Sequence, residues 1–224
     1  NEYIIKKWNS VVKKEDTVYH LGDVGFGTTE MLKELVGKLN GKKILLRGNH
    51  DSSYWKEHTE TLNDKKVPAN NSWNFVQAFG GTYLRQKKYP NIWYLPDEGC
   101  IYRLREYNIL FIPGAYSVDK YYRLNRNYPW NPDEQLNIVE RRSLQDLISR
   151  WVGNNFPIDF VIAHTFPLYL QKYFKDLFLP GIDQDEVDNT METWLNRISL
   201  YYQDLPEFKQ YFGGHYHDDR VIND

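Results

Sequence analysis

The chain reads as an α/β protein, and three observations predict that class. A strand–helix–strand succession fills residues 17–46. Apolar runs that end in His or Asp beside Gly recur at well-separated places, as strands do when they feed loops at one edge of a sheet. The composition is that of a packed globule: 41% hydrophobic residues and a formal net charge of -2 over 224 residues.

Residues 2–12 predict a helix with Tyr3, Ile4, Ile5, Trp8, Val11 and Val12 on one face. Thr17–Leu21 is β-branched and aromatic and reads as a strand. Three glycines follow between Gly22 and Gly27, and Thr28 or Thr29 caps a helix with Met31, Leu32, Leu35, Val36 and Leu39 apolar. Asn40-Gly41 stops it, and Lys42–Leu46 is the next strand. A βαβ unit of this length makes the two strands parallel neighbours.

Residues 52–90 lack a clean period, and one helix is predicted around Trp73–Phe79. Ile92–Leu95, Cys100–Leu104 and Ile109–Ile112, separated by turn residues, predict an antiparallel meander. Residues 113–132 form a long loop, Asp133 caps a helix reaching about Trp151, and Ile158–Ala163 is a strand. A second loop spans 165–187, Val187–Tyr202 is helical and Phe208–Phe212 is the last clear strand. With no internal repeat and no low-complexity linker, residues 1–224 are expected to form a single domain. The chain starts at Asn1 in mid-pattern and ends at Asp224 in a probable strand, so truncation is expected at the N-terminus and is open at the C-terminus.

Composition excludes several roles. No apolar run approaches a membrane span of about 18 residues. The single cysteine, Cys100, leaves no internal disulfide and is compatible with a reducing, cytoplasmic setting. The net charge of -2 shows no broad basic field for long duplexes, although a local patch is compatible with nucleic acid.

The candidate chemistry sits at strand ends. Leu45-Leu46-Arg47-Gly48-Asn49-His50-Asp51 is an apolar strand running into a Gly turn, and Asp23, Asn49, His164, His215 and His217 all fall just after such ends. A carboxylate, an amide oxygen and several imidazoles make a mixed N/O donor set. That mix suits Mn, Fe, Co, Ni or Zn better than Ca. His50 is the candidate proton donor, and Asp51 is expected to hold its ring in one tautomer. Arg47, Lys120, Arg123 and Arg126 are candidate phosphate contacts, because guanidinium forks match phosphate oxygens. Ordinary salt bridges or surface charge are the alternative reading for each. His20, inside an apolar strand, is expected to be a packed, hydrogen-bonded histidine, and His58 to face solvent.

Gly22-Asp23, Gly48-Asn49-His50-Asp51, the strand-end His164 and Gly214-His215-x-His217, in this order, resemble the calcineurin-like metallophosphoesterase family. The likeness spans residues 17–217 and extends to bacterial and phage-type members through Gly114–Lys120, Arg123 and Tyr128–Trp130. It implies a four-layer α/β/β/α sandwich of two mixed sheets. It also implies two divalent ions: Asp23 bridging both, Asn49, His164 and His215 on the second, and His217 on the first. His50 takes the place of the family's catalytic histidine. The family's opening Asp-x-His does not precede Asp23 here. Loss of an opening strand is the favoured explanation, with one tightly held ion as the other, and weak first-ion occupancy with low activity is expected. The implied function is metal-dependent hydrolysis of a phosphate monoester or diester, on a phosphorylated small molecule or nucleotide. A metal-degenerate binding module and a nucleic-acid end-processing enzyme are the alternatives.

Overall fold

The computed structural model describes residues 2–25, 28–117, 119–128, 130–174 and 187–222. The elements in chain order are α1 (Glu2–Val11), β1 (Thr17–His20), α2 (Thr29–Gly37), β2 (Lys42–Leu45), α3 (Tyr54–His58), β3 (Thr59–Leu62), β4 (Lys65–Pro68), β5 (Trp73–Ala78) and β6 (Gly81–Gln86). There follow β7 (Ile92–Tyr94), β8 (Cys100–Leu104), β9 (Tyr107–Ile112), α4 (Lys120–Asn125), α5 (Ile138–Gly153), β10 (Phe160–Ala163), a 3-10 turn (Leu168–Tyr173), α6 (Thr190–Ser199) and β11 (Gln210–Gly213).

Two mixed sheets result, ordered β1-β2-β7-β6-β5 and β11-β10-β9-β8, with β3-β4 as a separate hairpin. Alternation along the strands assigns each face. Ile44, Leu46 and Trp93 of the first sheet pack with Cys100, Tyr102, Ile109, Phe111 and Ile162 of the second, so the sheets face each other. The opposite residues of the first sheet, Leu45, Ile92 and Tyr94, pack with Val36 of α2 and with Tyr54 and Trp55 of α3. Those of the second, Leu110, Ile112, Val161 and Ala163, pack with Leu144 and Ile148 of α5 and Leu195 and Ile198 of α6. Helices therefore cover both outer faces, and the architecture is the four-layer α/β/β/α sandwich.

The βαβ expectation holds in detail. β1 and β2 are parallel, with Thr17 opposite Lys42 and His20 opposite Leu45. Thr28 caps α2 through Met31 N–H. Lys43, 1% exposed, turns its ammonium back to the Leu39 and Gly41 carbonyls just beyond α2, where the helix dipole favours a cation.

Elsewhere the structure departs from the sequence reading. Residues 73–78 form a strand, not a helix: Trp73 and Phe75 pack on the helix side, while Val76 and Ala78 pack between the sheets, a period of two. Phe79-Gly80, both at positive φ (47° and 75°), makes the two-residue hairpin into β6. The meander is broken. β7 lies in the first sheet, parallel to β2 and antiparallel to β6, and only β8 and β9 form a hairpin in the second. All three β7 residues are buried, as a central strand requires.

The first loop holds the short α4. Asp133 is not a cap: Asn137 caps α5, in a capping box with Glu140. The apolar face of α1 is outside the core, with Tyr3 77% and Val11 73% exposed, and the helix docks through Trp8 and Asn9 onto the Lys38–Asn40 segment. Residues 175–186 of the second expected loop, and the terminal strand expectation at 223–224, lie outside the described residues. Among the described residues no helix is long and apolar enough to cross a membrane.

Candidate metal centre

β1, β2, β10 and β11 are parallel within their sheets, and the loops after their carboxyl ends converge. Two glycines allow that approach. A Cβ on Gly22 would lie 2.6 Å from the Gly48 Cα and from His164 Nδ1, and one on Gly48 would lie 2.2 Å from Asp23 Oδ1. Asp23, His215 and His217 take left-handed backbone conformations (φ 54°, 69° and 52°), which aim side chains off the sharply turned strand ends.

Asp23, His164 and His215 present ligand atoms all within 4.8 Å of one another. Asn49 joins them: its Oδ1 lies 2.7 Å from His164 Nε2 and 3.1 Å from His215 Nδ1. Asp23 Oδ2 lies 3.4 Å from His164 Nε2. The His164 tautomer follows from its other nitrogen. Nδ1 is 2.6 Å from the Leu21 carbonyl, which only accepts, so Nδ1 carries the proton in the neutral ring. Nε2 then turns a lone pair toward two oxygens. The convergence of these atoms with the Asp23 carboxylate fits a divalent cation, and the mixed N/O set fits a transition ion.

The charge states agree with this. For Asp23, burial pushes the carboxyl up, but the contacts with His164 and the His50 backbone N–H (2.9 Å) outweigh it and hold it well below the usual carboxylate range. His215 is pushed down to about 3, by burial first and by His164 second, so the ring is neutral and its lone pair available.

Asp51 differs from its expected role. Its Oδ2 accepts the backbone N–H groups of Gly48 and Asp23, both at 2.8 Å, its Oδ1 accepts Val24 N–H at 3.2 Å, and the Tyr54 hydroxyl bonds it as well. It clamps two candidate ligand loops together. Arg47 is also displaced from its expected role. It is 1% exposed, donates to the Asp133 carbonyl at 2.5 Å and lies 3.9 Å from the buried Asp97, so it is an interior ion pair without an open face.

Two clefts flank the cluster. One, of about 490 Å³, holds His217 at its rim with Asp23, His215, Asp218 and Asp219. His217 stands outside the 4.8 Å group. His20 lines this cleft too, and its Nδ1 is buried without a partner among the described residues. The other cleft, of about 480 Å³, is lined by Asn49, His50, Ser117, Arg123 and Trp130. Burial lowers the His50 pKa, Asp23 raises it, and Arg123 lowers it further. Arg123 donates Nε–H to Asp119 at 2.8 Å. Lys120 lies over the rings of Trp130 (4.2 Å) and Tyr116 (5.5 Å), and Arg126 over Tyr122 (4.4 Å); neither belongs to the cleft lining. His58 stacks on Trp73 at 4.0 Å and does not face solvent freely.

Sequence reasoning missed Ser117 and Glu134, both buried beside Asn49. Nothing in a lone Ser or Glu signals such a place; only the fold brings residue 117 to residue 49.

The chain is 45% identical over 53 residues to the uncharacterised protein MJ1445 of Methanocaldococcus jannaschii, covering 23% of this chain and 30% of that one. It is 30% identical over 127 residues to the Gene 66 protein of Mycobacterium phage L5, covering 44% of this chain and 59% of that one. The matches thus span less than two thirds of either relative. A crystal structure of AQ665, a protein of unknown function from Aquifex aeolicus, aligns with 73% of this chain and 64% of its own at 18% identity and a TM-score of 0.33. The profile of the calcineurin-like phosphoesterases matches residues 2–219, and the chain belongs to that family, whose members are metal-dependent hydrolases of phosphoester bonds.

Proposed function

We propose that this chain hydrolyses a phosphate ester at the cluster of Asp23, Asn49, His164 and His215. The observation that carries the reading is the convergence of ligand atoms from Asp23, His164 and His215 within 4.8 Å, with Asn49 Oδ1 2.7 Å from His164 Nε2. These four residues hold one divalent ion, drawn from Mn, Fe, Co, Ni or Zn, and His217 with Asp23 contributes to a second position at the cleft rim. A bound ion of this kind polarises the phosphoryl group and acidifies water. His50, on the adjacent cleft, donates an imidazole N–H to the phosphoryl or leaving oxygen. Arg123 places positive charge in the same cleft, where it draws an anionic phosphate toward His50.

A cleft of this size suits a phosphorylated small molecule or a nucleotide. A second reading, the processing of nucleic-acid ends, draws support from Tyr121, Tyr122 and Tyr128, each about half exposed beside Arg126. Cys100, a buried free thiol, supports a reducing compartment such as the cytoplasm. The test is hydrolysis of an aryl phosphate and of its diester by EDTA-treated protein, before and after addition of Mn²⁺. Turnover that requires Mn²⁺ and is lost in His50→Ala supports the proposal. Absence of turnover on any ester, with retained ion binding, favours a binding module.

A further inference from the structure

We infer that Ser117 and Glu134 are positioning residues that fix which end of the Asn49 amide faces the metal position. This rests on the reading of Asn49 as a ligand. Asn49 is 2% exposed, and its amide has two chemically opposite ends. Its Nδ2 donates to Ser117 Oγ at 2.7 Å, which leaves Oδ1 toward His164 and His215. By itself a hydroxyl does not enforce this, because Ser can donate or accept equally well. Flipped, the amide would accept from Ser117 and turn its NH₂ group toward the two imidazoles and any cation there.

Glu134 removes that ambiguity. It is 1% exposed; burial pushes its carboxyl up, and the Ser117 side chain, Trp130 and the Ser117 backbone beside it act against that. Trp130 Nε1 donates to Glu134 Oε2 at 2.7 Å. The ionised carboxylate is an acceptor only, and in that state the Ser117 proton points at Glu134. The Ser117 oxygen then has only lone pairs for Asn49, and Nδ2 must be the end that meets it. The order Trp130–Glu134–Ser117–Asn49 thus runs from the substrate cleft to the metal position, each member oriented by the one before. The segment that carries it is anchored independently, by Ala115 N–H to the Glu134 carbonyl (3.1 Å) and by Gly114 N–H to the Arg47 carbonyl (2.9 Å).

The experiment is Mn²⁺ titration by calorimetry of the wild type, Ser117→Ala, Ser117→Thr and Glu134→Gln, with thermal unfolding in EDTA for each. Outer hydrogen-bond partners of ligands typically contribute about 10–100-fold to metal affinity. Ser117→Ala is expected to lose Mn²⁺ affinity in that range, and Ser117→Thr, which keeps the hydroxyl, to retain it. In Glu134→Gln the new NH₂ group donates to Ser117 and frees its proton to turn toward Asn49, so affinity falls there too, without a hydroxyl being removed. Unchanged affinity in both Ser117→Ala and Glu134→Gln, with the wild type binding Mn²⁺, overturns the inference alone. A wild type that takes up no Mn²⁺ overturns the ligand reading beneath it, and this inference with it. Should Ser117→Ala fail to fold in EDTA, Glu134→Gln and Ser117→Thr decide the matter by the same titration.

Discussion

The carboxylate of Asp51 lies 2.8 Å from the backbone nitrogen of Asp23, 28 positions earlier in the chain. The same oxygen takes Gly48 N–H at 2.8 Å, so one buried side chain fastens the loop after β1 to the loop after β2. Asp23 and Asn49 hold their relative places through this clamp. Asp51→Ala strands three backbone N–H groups, and an unmade buried hydrogen bond costs about 1–3 kcal/mol each. The expected loss is about 3 kcal/mol or more of stability, read as a lower urea midpoint in EDTA. An unchanged midpoint would show that the loops do not depend on the clamp.

His50 lies outside the ligand group, in the cleft shared with Arg123. A positioned proton donor typically contributes about 10²–10⁴-fold to rate. His50→Ala is therefore expected to lower kcat in that range while Mn²⁺ affinity and melting temperature stay near wild type. A loss of Mn²⁺ affinity equal to the loss of rate would make His50 part of the metal shell instead.

Glycine substitutions separate contact from conformation. A Cβ on Gly48 falls 2.2 Å from Asp23 Oδ1 and 2.4 Å from Asp23 N, so Gly48→Ala must displace the Asp23 carboxylate. It should destabilise the protein and abolish Mn²⁺ binding. Gly153, the last residue of α5, has nothing within 4 Å of such an atom. Gly153→Ala is expected to stabilise by about 0.4–1 kcal/mol through loss of unfolded-state freedom. Equal thermal shifts for the two variants would contradict this account of the loop packing.

Local chemistry explains what could be read in advance. The βαβ unit was legible because Thr28, Asn40-Gly41 and the apolar positions of α2 carry start, stop and period within a short window. The grouping of Asp23, Asn49, His164 and His215 was legible because each ends an apolar run, and three of them directly follow Gly. Trp73–Ala78 was not, since its aromatic and polar residues suit a short helix until Phe79-Gly80 is seen to turn with two positive φ values. The placement of β7 was not legible either: it joins the first sheet through its parallel pairing with the distant β2 as well as with the nearby β6. Arg47 had the chemistry of a phosphate contact, and only its burial against Asp97 assigns it inward. Ser117 and Glu134 gained meaning only when the fold set them behind Asn49.

Glu192 supplies a pH prediction. It is 3% exposed on α6, its contact with Thr165 is 3.3 Å long, and burial pushes its carboxyl up to about 7 from 4.5. A raised folded-state value means the folded protein holds the proton more tightly than the unfolded chain does. The associated stability is present in full below about pH 4.5 and is lost as pH rises toward about 7. Glu192→Gln should remove that dependence. It should be more stable than wild type by a few kcal/mol at pH 8, converging with it near pH 4. Parallel stability curves for the two proteins across this range would refute the assignment.

The most direct measurement is anomalous diffraction from crystals soaked in Mn²⁺ at the manganese edge. The account predicts a peak within coordination distance of Asp23, Asn49 Oδ1, His164 Nε2 and His215 Nδ1. A Mn²⁺ peak elsewhere with none at this cluster, or Asn49 turned with Nδ2 inward, would contradict it.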